Sequence, residues 1–268
     1  MKPSGVITLT TDFGLSDPYV AMMKGVILTI NPTANLVDLS HLIGAGAILQ
    51  AASLIHESFL FFPPGSIHIG VVDPGVGSKR RLLALKAQEH FFVGPDNGLF
   101  WPVIQDSKDV KIVQLTERKY FLPRVSQTFH GREIFAPVAA HLSAGIALEL
   151  MGVDMNDPVP LDYPQPLLKD GFLYGRIMRV DNFGNLITNI QHRELEQFLK
   201  SSQPFIEVGK LAIKGLSFIY ADADEGEPLA QVNSSGHLEI AVNMGRASEY
   251  LGLDTGEIIG TVVKIGIL

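Results

Sequence analysis

The stretch "SIHIGVVDPGVGSKRR" occupies residues 66–81. Its first seven residues are almost continuously apolar, which is the pattern of a strand covered on both faces and therefore of an α/β sheet. The run then meets Asp73, a Pro-Gly turn, a second glycine and the three cations Lys79, Arg80 and Arg81. In open α/β sheets ligands gather outside the carboxyl ends of the strands, so a carboxylate at that point is a site candidate. Three consecutive cations are ordinarily a solvated run. Here they arrive seven or so residues after Asp73, across a tight glycine loop, so one guanidinium could fold back onto the carboxylate.

Outward from this strand the pattern repeats. Residues 6–10 (VITLT) and 35–39 (NLVDL) read as strands. Between them Ser16 or Asp17 could cap a helix with Pro18 at its first position, and Tyr19, Met22, Met23, Val26, Ile27 and Ile30 recur at helical spacing. A second apolar helix is expected over 46–60, further strands at 82–86, 90–94 and 111–115, and an alanine-rich helix at 138–150. This βαβ alternation predicts an α/β N-terminal domain with a Rossmann-like, mostly parallel sheet. "NDPVPLDYPQPLLKDG" (156–171) carries four prolines and reads as a linker. Beyond it come short strands, "FLYGRIMRV", "NLITNI", "PFIEV", "LAIKG", "LEIAV" and "GTVVKIGIL", with one clear helix at 192–199. The expected organisation is an α/β domain over 1–158, a proline-rich linker over 159–171, and a smaller all-β barrel or sandwich domain over 172–268.

The chain has 268 residues, 46% of them apolar, enough to fill a substantial core. Its 21 Lys and Arg against 28 Asp and Glu leave a net charge of −7, which argues against phosphate-backbone binding and hence against a nucleic-acid partner. With no cysteine, disulfides, thiolate nucleophiles and Cys-ligated metals are excluded. Asp12 interrupts the N-terminal apolar run too early for a signal peptide, and the later apolar stretches carry charges or histidines. A soluble, cytoplasmic protein with no membrane partner is expected.

Four aspartates sit in glycine-containing turns: Asp12 in "TTDFG", Asp73 in "VVDPG", Asp96 in "GPDNG" and Asp181 in "VDNFGN". Any one of them taken alone reads as a turn aspartate serving its own backbone. Three strand-end carboxylates within the first hundred residues nevertheless point to an acid-lined cleft. In "FHGREIFAP" (129–137), His130 follows a polar loop and precedes a glycine, so it reads equally as a structural or a presented imidazole. "GAGAILQAA" (44–52) fails as a dinucleotide fingerprint because Leu49 stands at the third glycine position. No P-loop, nucleophile elbow or H-E-x-x-H motif is present, and "ADADEGEP" (221–228) reads as a solvated acidic loop. These residues support an Asp/Arg/His pocket without identifying a reaction.

Taken in order along the chain, "TTDFG", "DPYV", "MKG", "VVDPGVGS", "GPDNG", "FHGREIFAPVAA", "VDNFGNLITNI" and "NSSGHLEIAVNMGRAS" resemble the S-adenosyl-L-methionine hydroxide adenosyltransferases, relatives of the fluorinase and chlorinase enzymes. The resemblance implies displacement at ribose C5′ of S-adenosyl-L-methionine (SAM), hydroxide entering and methionine leaving. The family's catalytic aspartate, arginine and histidine match Asp73, Arg80 and His130. Halogenating relatives carry a tyrosine where Asp73 stands and a threonine where Val76 stands, so the resemblance is to the water users. An anionic Asp73 would also repel a halide. By the same resemblance Asp12 matches the ribose-hydroxyl carboxylate, and Asp181 with Ser234 the positions that hold the methionine amino and carboxylate groups. Phe183 and Asn185 match residues at adenine, and Glu239, Met244 and Ala247 lie in a segment approaching the adenine or amino-acid end. Where halogenating relatives have an arginine after that serine, this chain has Ser235. The resemblance further implies no metal, no cofactor beyond SAM as substrate, and a homotrimer with active sites formed between subunits.

Two other readings fit the residues. A metal-dependent phosphohydrolase or amidohydrolase would gather Asp12, Asp73, Asp96 and His130 around one cleft. A non-catalytic nucleoside or SAM sensor would keep Asp12, Phe183 and Asn185 but need no Asp73.

Overall fold

A computed structural model describes residues 2–252 and 255–268, and the chain divides into two compact units, Met1–Tyr163 and Pro164–Leu268. The first unit is built on a seven-stranded sheet. Its strands are β1 (Val6–Thr11), β2 (Asn35–Ser40), β3 (Ile67–Val71), β4 (Leu82–Ala87), β5 (His90–Pro95), β6 (Val110–Leu115) and β7 (Gly152–Met155), in the spatial order β2-β1-β3-β5-β4-β6-β7. The pairings β1/β2, β1/β3 and β3/β5 are parallel, whereas β4/β5, β4/β6 and β6/β7 are antiparallel. The sheet is therefore mixed, and the expectation of a mostly parallel sheet holds only for one half. The reversal happens at Gln88 and Glu89, whose φ values of 47° and 64° form a tight hairpin turn between β4 and β5. Such turns normally announce themselves with Asn-Gly or Asp-Gly, and "AQEH" does not.

Helices cover both faces, as the continuous apolar run of β3 requires. All five β3 residues are buried. On one face α1 (Tyr19–Ile30), through Met23 and Ile27, and α4 (Ala136–Ser143), through Val138, Ala139 and Leu142, pack on Ile7, Leu9, Ile67 and Ile69. On the other, α2 (Ile48–Ser58) and α3 (Trp101–Gln105) bury Ala51, Ile55 and Val103 against Leu83, Leu85 and Phe92. Pro18 occupies the N-cap of α1, so neither Ser16 nor Asp17 caps it. The helix expected over 138–150 is shorter and begins earlier. A π-helical turn, Gly131–Phe135, feeds α4, with the Ala136 N–H bonded to the Gly131 carbonyl.

The second unit is an antiparallel sheet of β8 (Leu167–Lys169), β9 (Phe172–Val180), β10 (Leu186–Gln191), β11 (Pro204–Val208), β12 (Leu211–Lys214), β13 (Pro228–Val232), β14 (His237–Val242) and β15 (Val262–Ile267). Its order is β12-β11-β15-β9-β10-β14-β13, with β8 paired to β9. The end strands β12 and β13 approach each other, so the sheet is nearly closed and barrel-like. Its inner face is filled by Ile177, Leu186, Ile190, Ile206, Ile240 and Ile265. Helix α5 (His192–Leu199) carries Leu195 and Leu199 into that core. Glu194 accepts the Gln191 N–H at 2.9 Å to fix its start, and Lys200 ends it at φ 48°. Two shorter helices, α6 (Ala247–Leu251) and α7 (Thr255–Ile258), precede β15. Among the described residues no helix is long and apolar enough to cross a membrane.

Candidate active site

In the first unit the parallel strands deliver their following loops to one end of the sheet. After β1, the Asp12 carboxylate accepts the Gly46 N–H at 2.9 Å, so the glycine pair before α2 serves as a backbone donor to a strand-end acid. A Cβ on Gly46 would lie 3.8 Å from Pro74, which places the loop after β3 against the same segment. Thr11, beside Asp12, bonds buried His41 at 2.9 Å and accepts the Phe13 N–H at 3.2 Å, so this turn is held from both sides.

Val72 is buried and Asp73 follows it. Arg80 does fold back: its Nε lies 2.8 Å from each Asp73 oxygen, and its Nη2 donates to Oδ2 as well. Both side chains are almost out of solvent, Asp73 at 4% and Arg80 at 9% exposure. The turn is built by the Val76 N–H on the Asp73 carbonyl and the Ser78 N–H on the Gly75 carbonyl. Gly77 sits at φ +77°, and a Cβ there would come within 2.3 Å of the Gln127 carbonyl oxygen. The arginine loop is thus packed directly on the loop that precedes His130.

The same Nη2 reaches His130 Nδ1 at 2.8 Å. A guanidinium only donates, so Nδ1 accepts and the ring proton resides on Nε2. Burial lowers the His130 pKa below the ordinary imidazole value, and the Arg80 charge lowers it further. Asp73, the Ser126 main chain and Glu133 pull the other way without reversing the result. His130 is accordingly a neutral acceptor at pH 7. Arg80 also lies over the Phe135 ring, 5.7 Å from its centroid, and among the described residues its buried Nη1 has no hydrogen-bond partner. The cluster is therefore a carboxylate, a fixed cation with one unspent donor, and a neutral imidazole.

Arg81 points elsewhere. Its Nε donates to Asp96 at 2.7 Å and its Nη1 to Asp157 at 2.7 Å, while Asp96 also accepts the Val159 N–H at 2.8 Å. Asp96 is thus a buried structural ion pair that ties residues 157–159 to the end of β5. Among the described residues no three His, Cys, Asp or Glu side chains converge in a way that could hold a metal ion. The acid-lined cleft that a metallohydrolase needs has two of its carboxylates committed to arginines.

In the second unit Asp181, Phe183, Ser234 and Glu239 line one pocket of about 480 Å³, together with Arg179 and Tyr220. Glu239 is buried and accepts from Tyr220 Oη at 2.8 Å and from Gln231 Nε2 at 3.2 Å. Asp181 accepts the Phe183 N–H at 2.9 Å, the Asn185 N–H at 2.8 Å and Asn185 Nδ2 at 3.1 Å, so it organises its own turn, as turn aspartates do. Phe183, Asn185 and Met244 line a second pocket of about 500 Å³. Ala247 lines neither; it is fully buried at the start of α6. Arg179 and Tyr220 were not legible as pocket residues, since an arginine and a tyrosine in half-exposed segments carry no motif.

The model of the SAM hydroxide adenosyltransferase N-terminal domain matches residues 7–152 and that of the C-terminal domain residues 175–260. The chain is 37% identical over 265 residues to an (R)-S-adenosyl-L-methionine hydrolase from Salinispora tropica, covering 96% of this chain and 97% of the relative. A fluorinase from an Actinoplanes species is 28% identical over 294 residues, with 97% of each chain covered. Among solved structures, an uncharacterized conserved protein from Thermotoga maritima superimposes with a TM-score of 0.90 at 34% identity, covering 97% of this chain and 99% of the other.

Proposed function

This chain belongs to the SAM hydroxide adenosyltransferase family, and on that footing we propose that it hydrolyses S-adenosyl-L-methionine to adenosine and L-methionine, with water attacking ribose C5′. The observation that carries the chemistry is the buried Asp73–Arg80–His130 cluster with its unspent Arg80 Nη1 donor.

The sulfonium leaves as a neutral thioether, so no proton need be delivered to it. The site has to place a water in line behind C5′, worth up to about 7–11 kcal/mol in well-oriented systems, and bias that water toward hydroxide. Arg80 cannot give up its proton, and its free N–H faces developing negative charge on the attacking oxygen. His130 holds its proton on Nε2 and spends Nδ1 on Arg80, so it fixes the guanidinium rather than accepting from water. Asp73 is left as the acceptor. As the C–O bond forms and the C–S bond breaks, the water's proton passes to this carboxylate and from there to solvent.

Asp12 has one oxygen bonded by Gly46, leaving the other for ribose hydroxyls. Asp181 and Ser234 would meet the amino-acid end, with Arg179 on the same pocket wall as the cation able to face the carboxylate in place of an arginine at Ser235. Phe183 would stack at adenine, with Asn185, Glu239 and Met244 nearby. A cytoplasmic homotrimer with active sites formed between subunits belongs to the same reading, and light scattering of the purified protein tests the assembly.

The function is tested by incubating purified protein with SAM. Equal amounts of adenosine and L-methionine, formed as readily with EDTA as without, are expected. S-adenosylhomocysteine as product would contradict the reading, and loss of turnover on chelation would favour the metallohydrolase.

A further inference from the structure

We propose that Glu133 is a positioning residue for this reaction, holding the loop that sets His130 and, through it, the Arg80 guanidinium. The inference rests on the hydrolase reading above. Glu133 lies in the π-helical turn three residues after His130 and is 2% exposed. A carboxylate at such depth needs a structural or functional partner set. Its Oε2 accepts the Ser126 N–H at 2.6 Å and the Ser126 hydroxyl at 2.8 Å, while Oε1 accepts from Arg132. Its backbone completes the tie: the Leu122 N–H donates to the Glu133 carbonyl at 2.9 Å and the Glu133 N–H to the Phe129 carbonyl at 3.2 Å. Arg132 in turn lies over Phe129, 4.8 Å from its centroid, and Phe129 packs edge-on against Phe13 and Tyr19.

Residues 122–130 are therefore bound to one buried acid at Ser126, and to its backbone at Leu122 and Phe129. The reactive cluster leans on this loop twice. The Gln127 carbonyl approaches the arginine loop so closely that only a glycine fits at position 77. The Ser126 main chain also acts on the His130 ring itself. Although burial alone would raise it, the Glu133 pKa is held below the ordinary carboxylate value by the Ser126 and Arg132 hydrogen bonds, so the clamp is anionic at pH 7. His130 at the start of the π-helical turn and Glu133 within it are both buried, and such turns recur at functional sites.

The test compares Glu133→Gln with wild type in the wild-type and His130→Ala backgrounds. The expected result is a kcat at least tenfold lower with KM changed less than threefold, and no further loss when Glu133→Gln is added to His130→Ala. A kcat within twofold of wild type in folded Glu133→Gln overturns the proposal, as does an equal loss in both backgrounds. Should Glu133→Gln not fold, Ser126→Ala removes only the hydroxyl bond. About a threefold fall in kcat, absent in His130→Ala, supports the clamp, and an unchanged kcat overturns it. ¹⁵N spectra of the His130 ring give a readout independent of turnover. Resonances displaced in Glu133→Gln support positioning even if wild type fails to hydrolyse SAM, and unmoved resonances refute it.

Discussion

Replacing Arg80 with methionine would leave Asp73 in a pocket where its side chain is 4% exposed. The guanidinium supplies the hydrogen bonds to that carboxylate from Nε and Nη2, so the substitution strands a buried charge. Removing one partner of a buried ion pair costs about 3–5 kcal/mol. Most of that cost is the uncompensated carboxylate rather than the lost bonds. Adding Asp73→Asn should therefore restore all but about 1–2 kcal/mol, because a neutral amide is far cheaper to bury. Turnover behaves differently: on the proposed mechanism the variant loses the donor to developing oxyanion charge, which lowers kcat by roughly 10²–10³, and neither variant regains it. Urea denaturation followed by the fluorescence of Trp101, the sole tryptophan and part of the same unit, measures stability, and adenosine release measures rate. A double variant no more stable than Arg80→Met would refute the buried-charge account. An Arg80→Met enzyme retaining more than a tenth of wild-type kcat would refute the catalytic one.

Gly77→Ala places a Cβ within 2.3 Å of the Gln127 carbonyl at a φ of +77°, so it should cost about 1–3 kcal/mol and lower kcat at least tenfold while leaving the fold intact; wild-type kinetics would show that this loop contact is dispensable. His68 is buried against Thr8, His90 and Phe92, and burial followed by the His90 charge pushes its pKa down to about 3. Between about pH 6.5 and 3 the unfolded chain then binds the proton that the folded chain refuses. Its contribution, full above pH 6.5, is lost at up to roughly 1.4 kcal/mol per pH unit as pH falls. His68→Asn should be less stable at pH 7 yet have a shallower acid limb in urea titrations. An identical acid slope would place the acid sensitivity elsewhere.

Strand β3 was legible because burial on both faces leaves no polar alternation to read. The tight glycine loop allowed one guanidinium to return to Asp73, and only the resemblance singled out Arg80 over Arg81, which pairs with Asp96. Helix 192–199 was legible to the residue, since its amphipathic pattern is set by local chemistry. The Gln88–Glu89 hairpin was not, because its positive φ values are imposed by the pairing of β4 and β5 rather than by glycine. β13 was hidden by Pro228 and Gln231, which an end strand of the sheet tolerates. Asp96 pairs with Arg81, a partner that sequence spacing does not rank, whereas Asp181 bonds its own turn after β9, as its glycine-containing context led one to expect. Glu133 carried no signal in the sequence, because its partner Ser126 lies in a loop whose return to the turn after His130 no local pattern announces.

The most direct test of the account is the fate of solvent oxygen. Purified protein given SAM in ¹⁸O-labelled water should yield adenosine bearing one label at O5′ and unlabelled methionine. Unlabelled adenosine, or free adenine in its place, would mean that water does not attack C5′ and that the Asp73–Arg80–His130 cluster serves a different reaction.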